Sequence, residues 1–102
     1  MGCQFTFKAI SYSLPIATCQ TVAGVPALQA NSASATQELI LTQGAPVFIS
    51  FRVNTNDPAT FYNSTAAAPT VNVSGKTWNF SGTLLNGALD SGTISGACNC
   101  TN

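Results

Sequence analysis

Few side chains in this chain could do chemistry. Among its 102 residues there is no histidine, and the charged side chains are Lys8, Arg52, Lys76, Glu38, Asp57 and Asp90. Catalysis usually needs a positioned proton carrier, a metal ligand or a charged clamp. A serine or cysteine nucleophile also needs an adjacent base. We therefore predict that the chain is not an enzyme, and that it has no catalytic residue, cofactor or metal.

Two of the three carboxylates lie in sequence contexts typical of turns. Asp57 precedes Pro58, and Asp90 precedes Ser91 and a glycine. Aspartate is favoured at such positions because its side chain hydrogen-bonds the backbone two residues further on. Acid–base chemistry by paired carboxylates would require two of these groups to meet in one cleft. A role in turn formation is the simpler interpretation.

The four cysteines, Cys3, Cys19, Cys98 and Cys100, cluster at the two ends of the chain. An even number in a small domain indicates two disulfides and an oxidising destination. A bridge between Cys98 and Cys100 would close a very small ring, so we expect each N-terminal cysteine to pair with a C-terminal one. Such a bridge stabilises the fold by about 4–5 kcal/mol in the chain-entropy model. A four-cysteine zinc site and four reduced core thiols are the alternatives.

Apolar and polar residues alternate along several segments, as expected for strands with one buried face. The clearest are 5–9, 37–42, 46–53, 71–73 and 77–81. Turn signals separate them at 74–76 and at 86–87, where Asn-Gly is typical of a two-residue hairpin. Strands recur every eight to twelve residues, the spacing of an antiparallel sandwich or small barrel.

The pattern predicts one all-β domain spanning residues 1–102. We expect an antiparallel β-sandwich, immunoglobulin-like or jelly-roll-like, with about seven or eight strands. The terminal strands, at 3–10 and 93–98, should lie side by side because the predicted disulfides join the two ends of the chain. Segments 29–36 and 59–69 are rich in small polar residues without apolar periodicity, and we expect long surface loops there.

Five aromatic residues are candidates for an interface. Phe61 and Tyr62 follow a proline-containing loop and precede the low-complexity residues of the 59–69 segment, and Phe48 lies on the strand face opposite its apolar neighbours. A strand that is apolar on both faces is either central in the fold or covered by another subunit. Phe5 and Phe7, in the N-terminal strand, complete the set. Trp78 alternates with polar residues, which favours a position in the core.

The balance of charge bears on possible partners. Three cations and three side-chain anions give a formal net charge of zero. Long-range attraction to phosphates is then weak, so we expect neither nucleic acid nor a membrane as a partner. Repulsion between copies is also weak, which favours self-association. No apolar stretch is long enough for a transmembrane helix, and none resembles a signal-peptide core.

In its size and its charge-poor composition, the chain resembles the small β-sandwich decoration (cement) proteins of phage capsids. The resemblance implies a structural protein on the virion surface that binds and stabilises the outside of the capsid. Its partners would be the major capsid protein or other copies of itself, with a homotrimer favoured. The alternatives are an extracellular or cell-surface pilus or fibre subunit that assembles by strand addition, and a secreted carbohydrate-binding module.

Overall fold

The computed structural model describes residues 2–44, 47–64, 69–87 and 90–102. These residues form an antiparallel all-β fold with one short 3-10 helix at Pro58–Thr60. The strands are β1 (Gly2–Phe7), β2 (Ile10–Leu14), β3 (Ile16–Val22), β4 (Val25–Asn31), β5 (Glu38–Thr42), β6 (Phe48–Arg52), β7 (Phe61–Ser64), β8 (Thr70–Ser74), β9 (Thr77–Asn86) and β10 (Asp90–Asn99).

The strands form one continuous sheet in the order β2-β1-β10-β9-β7-β6-β5-β4-β3. Strand β9 is ten residues long; one of its edges pairs with β10, and the other pairs with two different strands. Its beginning pairs with β8, and its end pairs with β7. The sheet curls so that β1 contacts β3 near the opposite end of the order. The result is a nearly closed barrel with its apolar side chains inside.

The predicted fold class is confirmed as all-β and antiparallel, and the terminal strands β1 and β10 lie side by side as expected. The residues that the structure describes form ten strands rather than seven or eight. Three of the strands missed in the sequence, β2, β3 and β4, lie in residues 10–31. In β3 the small Ala17 is buried and the larger Ile16 and Val22 are exposed, so the alternation of apolar residues does not reveal this strand.

The predicted loops are shorter than the low-complexity segments that suggested them. Residues 29–31 complete β4, and Phe61–Ser64 forms β7. The hairpin at Gly75 is confirmed, because Ser74 pairs with Thr77. The hairpin expected at 86–87 does join β9 to β10, but its turn is not the predicted pair of residues, since Asn86 is still paired with Asp90 in the sheet. Parts of these predictions, at residues 46, 65–68 and 88–89, lie outside the described residues.

One row of side chains across the inner face contains the Cys3–Cys98 disulfide. The strand register places Cys3 opposite both Leu14 and Cys98, and Cys98 in turn opposite Trp78. All four side chains are at most 2% exposed. The bridge therefore links the first and last strands within the apolar core.

The next row depends on the absence of a side chain at Gly96. This residue lies between Phe5 on β1 and Phe80 on β9, whose ring centroids are 5.9 Å apart. A Cβ atom at Gly96 would lie 2.3 Å from the Cβ of Phe5. The glycine therefore allows two large rings to fill the space over a central strand at native packing density.

We expect Gly96→Ala to lower the free energy of unfolding by about 1–3 kcal/mol, because the added methyl group must displace a core ring or the backbone of β1. Urea denaturation followed by tryptophan fluorescence measures this change. Ser95→Ala, at the exposed neighbouring position, should change stability by less than about 0.5 kcal/mol. Equal stability of the two variants would contradict the proposed packing role.

Candidate binding surfaces

The four cysteines form two disulfides, Cys3–Cys98 and Cys19–Cys100. This confirms the predicted pairing of the N-terminal cysteines with the C-terminal ones. All four sulfur atoms are used, so the alternatives of a zinc site and of reduced thiols are wrong. The two bridges differ in exposure, because Cys3 and Cys98 are fully buried whereas Cys19 and Cys100 are only partly buried.

Three of the five predicted interface aromatics lie in the core. Phe5, Phe7 and Tyr62 are 4%, 1% and 8% exposed. The rings of Phe5 and Phe7 both pack edge-on against Phe51, at centroid distances of 5.0 and 5.6 Å. The expectation that these rings form a surface is therefore corrected. Their side chains point inward, and their contacts with Phe51 join β1 to β6 across the barrel.

The other two candidates, Phe48 and Phe61, lie on the outer face of β6 and β7, each partly exposed. The guanidinium carbon of Arg52 lies 4.5 Å from the centroid of the Phe61 ring. A nitrogen of the same group is 3.6 Å from a carboxylate oxygen of Glu38. With Ile40 on the adjacent β5 strand, these residues form what we call the aromatic face: Glu38, Ile40, Phe48, Arg52 and Phe61.

Strands β1, β2, β8, β9 and β10 present an uncharged outer face, which we call the polar face. Every outward side chain of β1, β2, β8, β9 and β10 is Ser, Thr, Asn or Gln, apart from Leu85 and Ala97. The strand register aligns them in ladders, one of which runs Ser11, Thr6, Ser95, Ser81, Thr70. Such side chains hydrogen-bond water and create no long-range field.

A hydrogen-bonded cluster of Lys8, Tyr62 and Asp90 covers one end of the barrel. Lys8 Nζ donates to Asp90 Oδ2 at 2.6 Å, and the Tyr62 hydroxyl donates to the same oxygen at 2.5 Å. The ammonium also lies 5.6 Å from the centroid of the Tyr62 ring. Asp90 thus accepts hydrogen bonds from two other parts of the chain, a role beyond the predicted turn. Asp57 does have the predicted local role, because Oδ1 accepts from the Ala59 amide at 3.1 Å.

The hydrogen bonds in this cluster shift three pKa values. The bond from Lys8, followed by that from Tyr62, lowers the pKa of Asp90. The Asp90 carboxylate raises the pKa of Lys8 and, together with burial, that of Tyr62. The cluster is therefore an ionised pair with a neutral phenol. It has no activated nucleophile, so we assign it a structural role in joining β10 to the β1–β2 hairpin and to β7.

The turn that carries Lys8 adopts an unusual backbone conformation. Lys8 and Ala9 have φ angles of 54° and 64°, as in the type I′ turns that match the twist of hairpin strands. Glycine or asparagine normally fills these positions, because a left-handed residue with a Cβ costs about 1–2 kcal/mol. The Lys8 contacts with Asp90 and Tyr62 offset part of that cost.

A groove of about 300 Å³ adjoins the cluster. Its walls are mostly apolar and come from the β1–β2 hairpin, from β7 and from the segment between β6 and β7; they include Phe7, Ile10, Tyr12, Val53 and Thr60. Ile10 is 56% exposed at this site. The sequence predicts neither the groove nor the cluster, because Lys8 and Asp90 are 82 positions apart and neither lies in a local motif.

We expect stability to be constant at intermediate pH and to fall on both sides. The Asp90 contribution is present above about pH 4 and is lost as the pH falls through its lowered pKa. The Lys8 and Tyr62 contributions are present below about pH 10 and are lost as the pH rises through their raised pKa values. Urea midpoints measured from pH 2 to pH 11 test this profile.

Asp90→Asn should lower the urea midpoint at intermediate pH. It should also reduce the fall of the midpoint at acid pH, because the titrating carboxylate is removed. Asp57→Asn is the matched control, since asparagine keeps an oxygen that can accept from Ala59. If the urea midpoint of the Asp90 variant fell at acid pH as steeply as that of the parent, the role given to this cluster would be contradicted.

Within the part of the chain that the structure describes, no three His, Cys, Asp or Glu side chains are placed to hold a metal ion. Over the same residues, no helix is long and apolar enough to cross a membrane. Comparison of the chain with models of protein families and with curated proteins finds no match.

Proposed function

We propose that this protein is a structural subunit that binds the outer surface of an assembled particle, as a capsid decoration protein does. The observation that supports this proposal is the aromatic face, where Arg52 lies against the Phe61 ring and Phe48 lies on the same outward surface at the other end of β6. Aromatic and arginine side chains supply much of the binding energy at protein interfaces. They are concentrated here on a chain with few other means of attraction.

The aromatic face is partly organised before binding. Arg52 is held between the Phe61 ring and Glu38, so less side-chain freedom is lost when a partner covers it. A guanidinium stacked on a ring also keeps free N–H groups for carbonyl or carboxylate oxygens of the partner. The partner surface we expect is therefore apolar at its centre, with backbone or acidic oxygens near Arg52.

The polar face suits the side of the subunit that remains in contact with solvent. Its hydroxyl and amide groups are hydrated, and they do not attract nucleic acid or anionic membranes. We place the protein on the virion surface, where the disulfides are compatible with an oxidising exterior. The partner is the major capsid protein, and other copies of the chain, in a homotrimer, complete the contact.

The mechanism is mass action. A subunit that binds the assembled shell and not its separated parts stabilises the shell by RT ln(1 + [L]/Kd), which is about 2.7 kcal/mol at a concentration of 100 Kd. We further infer that the two halves of the curled sheet act as the layers of a jelly-roll-like or immunoglobulin-like sandwich. The packing of Phe5 on one half against Phe51 on the other supports this view.

We expect Phe48→Ala and Phe61→Ala each to weaken binding to particles from the native source at least tenfold, because each removes a central aromatic contact worth more than about 1.4 kcal/mol. Co-sedimentation with purified particles measures the affinity, and cryo-electron microscopy locates the subunit. Thr83→Ala and Ser95→Ala, on the polar face, are the matched controls and should bind as the parent does. Absence of the chain from native particles, or loss of binding only in the polar-face variants, would refute the proposal.

A further inference from the structure

The last three residues of the chain cover the outer edge of β3. The Thr101 amide donates to the Ala17 carbonyl at 2.7 Å, and the Ala17 amide donates to Thr101 Oγ1 at 3.0 Å. The Cys19 amide donates to Asn102 Oδ1, and Asn102 Nδ2 donates to the Cys19 carbonyl, both at 2.9 Å. These contacts provide the hydrogen bonds that a neighbouring strand would make. We call residues 100–102 the C-terminal tail.

Without this tail, β3 would be an unprotected edge. Among the described strands, β3 is last in the sheet order and pairs with β4 alone. Proteins usually protect such edges with charged residues, proline or a bulge, but the sequence of β3, IATCQTV, has no charge and no proline. It also has two exposed apolar residues, Ile16 and Val22, at 45% and 55%.

The tail is attached to β3 by the more accessible of the two disulfides. Cys19 and Cys100 are partly buried and line a cleft of about 420 Å³ together with Lys76. Cys3 and Cys98, by contrast, are fully buried. Thiol–disulfide exchange requires a thiolate to reach a sulfur atom. A small thiolate therefore reaches Cys19–Cys100 first, and the positive charge of Lys76 favours the approach of this anion.

We propose that the outer edge of β3 is a concealed docking surface for a second copy of this chain, and that the Cys19–Cys100 bridge keeps it closed. A small thiol opens it. A thiolate attacks one sulfur atom, which gives a mixed disulfide and releases the other cysteine as a thiolate. A second thiolate then attacks the small-thiol sulfur of the mixed disulfide and releases the remaining cysteine. The net reaction gives two cysteine thiols on the protein and one disulfide of the small thiol. The tail then leaves β3 while Cys3–Cys98 still joins β1 to β10.

The sequence of β3 favours a second copy as the occupant. If two β3 strands pair antiparallel about a twofold axis at Cys19, Ile16 of each copy lies opposite Val22 of the other. The exposed apolar residues of both copies are then paired across the new sheet. The Ala17 and Cys19 backbone groups that the tail had satisfied regain strand partners, and no like charges meet.

The first test is stepwise reduction of the oxidised protein with a small dithiol. Differential alkylation and mass spectrometry should find free thiols at Cys19 and Cys100 before Cys3 or Cys98. At that stage light scattering should show twice the mass of the oxidised form. Hydrogen exchange at Ala17 and Cys19 should first rise and then regain protection as dimers form at higher concentration. Reduction of Cys3–Cys98 first, or a mass unchanged after selective reduction, would overturn the proposal.

A second test avoids reduction. Deletion of residues 100–102 combined with Cys19→Ala keeps Cys3–Cys98 but removes the Cys19–Cys100 bridge and every hydrogen bond of the tail to β3, and this variant should double in mass on its own. Adding Val22→Lys should reverse the doubling, because each lysine would then lie opposite an isoleucine at the new contact. Val22→Lys in the otherwise unchanged protein is the matched control and should leave the mass as it was. A deletion variant that keeps the parent mass at high concentration would refute the docking surface.

This surface is separate from the aromatic face, which lies on β5, β6 and β7. Phe48→Ala should therefore leave the thiol-dependent doubling intact. The two proposals can fail independently, since one is read from affinity for particles and the other from the mass of the protein alone.

Discussion

The pairing of the first strand with the last is the constraint on which the rest of the structure depends. The Cys3–Cys98 bridge fixes β1 against β10 over 95 positions of sequence, and it does so inside the core, between Leu14 and Trp78. Once these strands are joined, β2 and β9 have fixed neighbours on either side, and the sheet can curl over its apolar side chains. In a chain this small, one such bridge contributes about as much as many domains have in net stability.

Scarcity of charge explains several features that otherwise look unrelated. Charged side chains normally keep sheet edges apart and surfaces soluble, and here there are too few for either purpose. The polar face uses hydroxyl and amide groups instead. The edge of β3 is covered by the C-terminal tail. Four of the six charges form two ion pairs on the barrel surface, Lys8 with Asp90 and Arg52 with Glu38.

How much the sequence could predict depends on how local each feature is. Strand alternation gave the all-β class, and ring size excluded pairing between Cys98 and Cys100. The period of two shows that Phe5 and Phe7 share one face of a strand. Whether that face is inside depends on strands far along the chain. The Lys8–Asp90 contact and the tail on β3 join positions more than eighty residues apart. Neither has a motif, so only the folded register brings them together.

The same register separates the candidate surfaces. Strands β1, β2 and β8–β10 present the polar face, whereas β5–β7 present Phe48, Arg52 and Phe61, and each strand contributes its alternate residues to the core. A single residue of slip in any of these strands would exchange buried and exposed positions. The disulfides and the close approach permitted by Gly96 oppose such a slip at β1 and β10. The surface chemistry is therefore held in place by the packing of the core beneath it.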